Sequence, residues 1–230
     1  MQTFKACLAA AAAMAALAAP ASHAQTPYPN KPIRILSGSP PGAPSDLVAR
    51  ILAEKLGKQL KQPVIVENRT GASNGLAAQH VSKAAPDGYT LLVTPDTTIA
   101  VNPLIYKTMD FDPRIDLTPI SLLASFNQMM VCNSALKITS MKELTARAKQ
   151  SELTYASGGQ GSPGHLAAEL FLQGAGIKMN HIPYKGPGPA LTDVMGGQVN
   201  CGFLTTPTVL PHVKTRRLTA LARSSSTPSP

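Results

Sequence analysis

The sequence predicts an α/β fold in which parallel strands alternate with helices on both faces of the sheet. Short apolar or β-branched runs occur at residues 33–36, 64–66 and 90–94, and helix-forming stretches separate them. Within residues 45–60, apolar side chains recur at the spacing of one helix face. A second alternating set begins at residue 128, so the pattern predicts two strand–helix groups.

The predicted elements follow from these local signals in chain order. The β-branched and apolar runs give the strands, and Pro, Gly and capping residues bound the helices. Strands are predicted at residues 33–36, 64–66, 90–94, 128–132, 153–156, 180–182, 199–203 and 218–222, and helices at 45–60, 76–84, 166–173, 189–195 and 209–214, with a further helix opening at the capping box of residues 140–143.

One strand–loop–helix unit organises the first set. The apolar run 33–36 ends in a Ser-, Gly- and Pro-rich loop, and Ser45 and Asp46 then open a helix. Free N–H groups at a helix N-terminus attract anions through hydrogen bonds and the helix dipole. A similar unit recurs at residues 157–165, so two facing copies would form a clamp for a small anion.

The first 24 residues have the features of a secretory signal peptide. A single charge, Lys5, precedes the Ala-rich run 6–19, and Ser22-His23-Ala24 resembles a cleavage site. We expect cleavage after Ala24 and export of a soluble product. A membrane anchor is less well supported because the apolar run is short for spanning a bilayer. A lipoprotein is also less well supported, because Cys7 is not preceded by the small-residue box that a lipidated cysteine requires.

The net charge and the cysteine content indicate whether the chain binds nucleic acid and whether it forms a disulfide. The net charge is +9 and Trp is absent. Because no Lys/Arg block alternates with aromatic residues, we expect a solvated basic surface rather than a nucleic-acid site. After cleavage Cys132 and Cys201 remain, and they either form a disulfide or act as small buried hydrophobic residues.

Two short motifs match those of enzymes, but the neighbouring residues that each motif normally requires are absent or displaced. Residues 159–164 match G-x-G-x-x-G, but the next strand ends at 183–185 without the carboxylate of a dinucleotide site, so no cofactor is expected. Residues 71–75 match G-x-S-x-G, although three residues separate them from the preceding strand. A secreted serine hydrolase using Ser73 is therefore an alternative. The five histidines lack metal-binding spacing, so no metal is expected.

The Asp- and Pro-rich residues 109–119 are predicted to cross between two domains. The predicted divisions are a signal peptide at 1–24, a first domain at 25–119, a second at 120–222 and a disordered Ser/Pro tail at 223–230.

With these loops in place, the chain resembles the Bug family, the extracytoplasmic solute-binding proteins of tripartite tricarboxylate transporters. The matching stretches run in order through nearly all of the mature chain, at residues 28–34, 40–42, 64–69, 84–91, 155–157, 183–186, 189–193, 196–199 and 210–212. The resemblance implies a two-lobed periplasmic-binding-protein fold of type II, in which the two domains are lobes that close on a ligand. It implies a monomer without enzymatic activity, which captures a small carboxylate and delivers it to membrane permease subunits.

The resemblance and the anion-clamp hypothesis together nominate twelve ligand-binding residues from both lobes. Lobe 1 would contribute from its two strand-to-helix loops, and lobe 2 from the Gly-rich loop and two later loops. The residues are Ser39, Gly42, Ala43, Ser45, Thr97, Ser157, Gly158, Gly161, Ser162, Lys185, Gly186 and Thr205.

The chain departs from the family pattern at three places. Ala43 replaces a second glycine beside the expected ligand, and Leu204 stands where the family often has Asp. The chain also ends before the segment that returns to lobe 1 in family members, so we expect an incomplete first lobe. A truncated remnant that binds no ligand is therefore a further alternative.

Overall fold

The computed structural model describes residues 27–107 and 109–225, so the predicted signal peptide lies outside the described residues. The described residues from Lys31 onward form one compact unit. Its described helices and strands fall into two lobes, each built around its own sheet.

Lobe 1 contains a three-stranded parallel sheet in the order β2-β1-β3, as the alternating pattern predicts. Strand β1 is central and pairs with both neighbours. The elements are β1 (Ile33–Ser37), α1 (Pro44–Leu60), β2 (Val64–Asn68), α2 (Gly75–Ser82), β3 (Thr90–Val93) and two short helices, α3 (Thr97–Ala100) and α4 (Asn102–Ile105).

Lobe 2 contains a five-stranded sheet in the order β6-β5-β7-β4-β8. Residues 117–127, which have no regular secondary structure, connect it to lobe 1. The elements are β4 (Gln128–Asn133), a 3₁₀ turn (Ser134–Leu136), α5 (Met141–Gln150), β5 (Thr154–Ser157), α6 (Pro163–Ala175), β6 (Asn180–Pro183), α7 (Pro187–Met195), β7 (Cys201–Thr205), α8 (Thr206–Lys214) and β8 (Leu218–Arg223).

The second sheet is mixed rather than wholly parallel. Strands β5, β6 and β7 are parallel, whereas β4 runs antiparallel to both β7 and β8. Strand β4 is joined to β5 through α5 and still runs antiparallel to it, so the alternation of strands and helices does not by itself determine strand direction.

The first two residues assigned to the predicted tail, Arg223 and Ser224, are held by the second sheet. Strand β8 extends to Arg223, and Ser224 N donates to the carbonyl oxygen of Gln128 at 2.9 Å. Gln128 N in turn donates to Ser224 Oγ at 2.9 Å. Residues 226–230 lie outside the described residues.

The core of lobe 2 has two layers, one on each face of the sheet. Successive strand residues point to opposite faces, so Tyr155 packs with Phe203 beneath α5 and α6, while Ala156 packs with Leu204 beneath α7 and α8. Cys132 and Cys201 are directly opposed on β4 and β7 and form a disulfide in the first layer. The disulfide alternative from the sequence is thus the one observed.

The core of lobe 1 is much smaller. Its cluster of buried residues consists of Ile35, Ala49, Ala53 and Val93, all of moderate or small size. Ile51 on α1 is 61% exposed and Ile65 on β2 is 48% exposed. Buried apolar surface stabilises a fold by about 25 cal/mol per Å². Lobe 1 therefore has less stabilisation from burial than lobe 2.

This difference predicts unequal hydrogen exchange. Amides of residues 33–93 should exchange faster than amides of residues 128–205, because lobe 1 opens at lower free energy than lobe 2. Hydrogen–deuterium exchange with mass spectrometry of peptides from both sheets measures this. Strong and equal protection of β1 and β5, the central or near-central parallel strand of each lobe, would contradict the prediction.

Candidate functional site

A buried carboxylate holds the loop between β1 and α1. Asp46 lies in the first turn of α1, and its side chain has no exposed surface. It accepts hydrogen bonds from Gly42 N at 2.8 Å, Asn68 Nδ2 at 2.7 Å and Arg50 Nε at 2.9 Å. Asn68 Nδ2 also donates to the carbonyl oxygen of Ser39 at 2.8 Å. The loop is therefore tied to both α1 and the end of β2.

The charge on this carboxylate is retained despite its burial. Burial alone would raise the pKa of Asp46, but hydrogen bonds from Arg50, Asn68 and the backbone of Gly42 hold it below its ordinary value. The sequence shows Asp46 only as a helix-opening residue. Its role as an anchor was missed because its partner Asn68 follows another strand.

The substitution Asp46→Asn should destabilise lobe 1. The asparagine has one carbonyl oxygen and an NH₂ group in place of two acceptor oxygens, so at least one of the present donors loses its acceptor. A buried donor left without an acceptor costs about 1–3 kcal/mol of stability. Because the pKa of Asp46 is lowered by folding, its stabilisation is present above an ordinary value of about 3.9 and is lost as the pH falls below it. Urea unfolding at pH 7 and in acid measures both effects.

The matched control is Glu54→Gln on the same helix. Glu54 pairs with Lys58 at the surface, with 64% and 73% of the two side chains exposed. An exposed pair contributes little to stability. Equal effects of the two substitutions at pH 7 would contradict the anchoring role of Asp46.

The loop between β2 and α2 is strained. Ala72, Ser73 and Asn74 have φ of 45°, 48° and 70°, in the left-handed region. Each such residue costs about 1–2 kcal/mol. Asn102 on α4 stabilises the turn, since its Nδ2 donates to the carbonyl oxygens of Ala72 at 3.2 Å and Ser73 at 3.0 Å.

Two polar atoms at this turn are buried without a hydrogen-bond partner among the described residues, Ser73 Oγ and Asn102 Oδ1. A buried unpaired polar atom costs free energy and calls for a functional explanation. Both atoms border lobe 2, because they lie 3.9 Å and 3.6 Å from the positions that a Cβ would take at Gly159 and Gly161.

The Gly-rich loop after β5 is held by side chains of β5, β6 and α6. Ser157 Oγ is buried, accepts from Gly159 N at 3.2 Å and lies 2.7 Å from Nε2 of His181 on β6. Gly161 N donates to Nδ1 of His165 on α6 at 3.2 Å. Two histidine side chains thus fix the backbone of this loop, a role that the sequence did not suggest.

A second lobe 2 loop lies beside the first. Gly186 N donates to the carbonyl oxygen of Gly158 at 3.2 Å, which joins the two loops. Gly186 has φ of 116°, and a Cβ there would lie 2.7 Å from Pro40 Cγ of lobe 1. Only glycine suits this close approach. Lys185, the neighbouring residue, is exposed and faces the cleft between the lobes.

An open concave region of about 1880 Å³, called the cleft here, is lined by residues of both lobes and of the segment that connects them. The two lobes touch where Tyr106 Oη donates to the carbonyl oxygen of Gln160 at 3.2 Å. Ile105 also packs against Gly161, whose φ is +76°, and a Cβ at Gly161 would collide with it. The cleft thus has one wall in each lobe, with direct contact between the walls.

Three helix N-termini converge on this cleft. The first residues of α1, α6 and α7 line it, and each of these helices begins with a proline. Ser162 caps α6, where its Oγ accepts from His165 N at 3.3 Å. Helix N-termini carry partial positive charge and favour an anion.

Eight of the twelve predicted binding residues line the cleft, namely Ser39, Ala43, Ser45, Gly158, Ser162, Lys185, Gly186 and Thr205. The other four are not among the residues that line it. Gly42 N and Gly161 N donate to Asp46 and His165, Ser157 Oγ faces His181, and Thr97 is buried with its N–H on Asp96 Oδ1 at 2.8 Å. These four shape the loops rather than form the cleft surface.

The described residues contain no group of three or more His, Cys, Asp or Glu side chains arranged to hold a metal ion. Among the same residues, no helix combines the length and apolar character needed to cross a bilayer.

Two lobes with helix N-termini at their junction are the arrangement of the two-lobed binding-protein fold. The model of the tripartite tricarboxylate transporter receptor family matches residues 48–229, and the chain belongs to this family. It is 39% identical over 217 residues to BugT of Bordetella pertussis, covering 93% of this chain and 66% of that protein. The chain thus spans slightly less than two thirds of the length of this relative.

Solved structures show the same fold. A structure of Rpa4515 from R. palustris with adipate matches with a TM-score of 0.84 and 30% identity, covering 87% of this chain and 68% of that one. MatC from Rhodopseudomonas palustris, with bound malate, matches with a TM-score of 0.77 and 26% identity, covering 86% and 68%. The prediction of a two-lobed Bug-type fold is confirmed.

Proposed function

We propose that this chain is a periplasmic receptor that captures a small carboxylate between its lobes and delivers it to the permease subunits of a tripartite tricarboxylate-type transporter. The observation that carries the proposal is the convergence of three helix N-termini on one cleft. The hydroxyls of Ser39, Ser45 and Thr205 and the cation of Lys185 line the same cleft. Together they supply what a carboxylate requires, donors and positive potential.

The ligands of the relatives support this chemistry. Two solved relatives hold dicarboxylates, adipate in one and malate in the other. A carboxylate that touched both walls of the cleft would bind the closed arrangement more strongly than an open one, and so favour closure. Delivery to a permease rests on family membership.

The hydrolase alternative lacks a geometric basis in the described residues. Ser73 Oγ has no hydrogen-bond partner there, so no histidine is placed to activate it. The φ of 48° at Ser73 resembles a nucleophile elbow, but Ala72 and Asn74 share the left-handed conformation. We therefore ascribe the conformation to the inter-lobe turn rather than to catalysis.

Binding should be detected as ligand-dependent stabilisation. We expect adipate, malate or another dicarboxylate of a screened panel to raise the melting temperature, since a ligand at 100 times its Kd stabilises by about 2.7 kcal/mol. The corresponding diols are the controls, because they keep the carbon chain and lack the charge. No stabilisation by any carboxylate would contradict the proposal and favour the remnant alternative.

A single side chain in the Gly-rich loop should reduce this binding. Gly161→Ala places a Cβ against Ile105 at a φ of +76°, so the closed contact between the lobes is disturbed. We expect affinity to fall by about tenfold or more, measured by calorimetry. Gly174→Ala is the matched control, because a Cβ at Gly174 on the same lobe meets nothing within 4 Å.

The proposed location predicts processing of the leader. Expression in a Gram-negative host should yield a periplasmic product whose N-terminal residue is Gln25, because Ser22-His23-Ala24 provides the small residues that signal peptidase requires. N-terminal sequencing of the periplasmic fraction measures this. Recovery of the protein with Met1 intact from that fraction would contradict it.

A further inference from the structure

Three aromatic rings form a stack beneath the Gly-rich loop. The rings of Tyr155 and His181 have centroids 4.8 Å apart and planes within 18° of each other. His165 stacks on the other side of His181, at 4.2 Å and 24°. The rings come from β5, β6 and α6, so the stack ties together the three elements that bound the loop.

The outer histidine holds the loop through a ring nitrogen that must be unprotonated. Gly161 N donates to His165 Nδ1 at 3.2 Å. A backbone N–H can only donate, so His165 Nδ1 must carry a lone pair and its proton must lie on Nε2. A protonated His165 would place two N–H groups face to face and lose this hydrogen bond.

The inner histidine holds the loop through Ser157. His181 Nε2 lies 2.7 Å from Ser157 Oγ, which is 3.2 Å from the carbonyl oxygen of Gly159. The direction of the hydrogen bond between Ser157 Oγ and His181 Nε2 depends on the tautomer of His181, and in either direction the bond fixes Ser157 Oγ, which accepts from Gly159 N. Each histidine therefore fixes one end of the turn at residues 159–161.

Burial keeps the two histidine rings uncharged, whereas the facing carboxylate of Glu169 favours their protonated forms. Burial and then the neighbouring His165 lower the pKa of His181 to about 4, and burial lowers the pKa of His165 against an opposing effect of Glu169. Glu169 Oε1 lies 4.0 Å from His165 Nε2 and accepts from Tyr155 Oη at 2.5 Å. Burial and Glu169 raise the pKa of Tyr155, which therefore remains a neutral donor.

We propose that the stacked pair His165–His181 is the positioning element of the Gly-rich loop, and that protonation of His165 releases Gly161 and weakens carboxylate binding. The part of this inference that concerns affinity rests on the proposed function. The part that concerns the loop does not, because the hydrogen bond from Gly161 N to His165 Nδ1 lies wholly within lobe 2.

The direction of the pH effect follows from the lowered pKa values. An unfolded histidine has a pKa of about 6.5. Folding lowers the pKa of both histidines, so the native arrangement is fully stable above about 6.5 and loses stability as the pH falls below that value. The loop should therefore be ordered at pH 7.5 and loosened in acid.

The decisive variant is His165→Asn. Asn Oδ1 lies where His Nδ1 lies relative to the backbone, so it can accept from Gly161 N but cannot be protonated. We expect this variant to bind adipate, or the dicarboxylate found in the screen, within about threefold of the wild-type affinity at pH 7.5. Between pH 7.5 and 5.0, the wild type should lose about tenfold more affinity than the variant, since one hydrogen bond is lost only in the wild type. Protonation of the ligand affects both proteins equally.

Two further variants separate positioning from packing. His165→Leu keeps bulk but has no acceptor, and should bind about tenfold more weakly than the wild type at pH 7.5. His212→Asn changes a histidine on α8, and should retain the wild-type pH profile. Thermal melting establishes that each variant is folded. Parallel pH profiles for the wild type and His165→Asn would overturn the proposal.

A second readout needs no ligand. In ¹⁵N-labelled protein, the Gly161 amide resonance should shift between pH 7.5 and 5.0 in the wild type, and stay unchanged in His165→Asn. If no carboxylate binds at any pH, the proposed function fails while this measurement still tests the loop. A Gly161 amide that shifts equally in both proteins, or in neither, would overturn the positioning role of the pair.

Discussion

The wall of the cleft that lobe 1 provides depends on the hydrogen bonds to the ionised Asp46 carboxylate. A buried charge is tolerated only when donors replace the water it has lost. Here those donors are Gly42 in the loop, Asn68 at the end of β2 and Arg50 one helical turn further on. The electrostatic requirement of one residue therefore determines where the loop, the strand and the helix lie relative to one another.

Lobe 2 reaches the same end by a different means. Its loop is fixed by neutral groups, Ser157 and the two histidines, instead of a charge. In both lobes one backbone N–H group of the loop, Gly42 N or Gly161 N, donates to these anchors. The hydroxyl groups and helix N-termini that line the cleft are the groups that we propose for ligand recognition.

The sequence predicted those features that depend on local patterns. The units at residues 33–46 and 154–165 were recognisable because strand composition, Gly/Pro loops and helical spacing are all properties of neighbouring residues. The resemblance then supplied the two-lobed arrangement, and eight of the twelve nominated residues line the cleft. It was also local capping that made α5 predictable, since Ser140 Oγ accepts from Glu143 N at 3.2 Å.

Features that depend on contacts between distant segments were not predictable. The pairing of Asp46 with Asn68, the stack of Tyr155 on His181 and the reversed direction of β4 all require knowledge of how separate elements pack. Thr97 was expected at the cleft because it follows a strand. The short helix α3 instead turns it inward, and only Asp96 and the residues around it remain on the surface.

The Cys132–Cys201 disulfide has a mechanical consequence for the closing of the cleft. β4 is the first strand after the connecting segment, and the disulfide bonds it covalently to β7, the middle strand of the sheet. The strand at which the connecting segment joins lobe 2 therefore cannot shift along β7. Among the described residues, residues 117–127 have no regular secondary structure and are the place where a rotation of one lobe against the other can be accommodated.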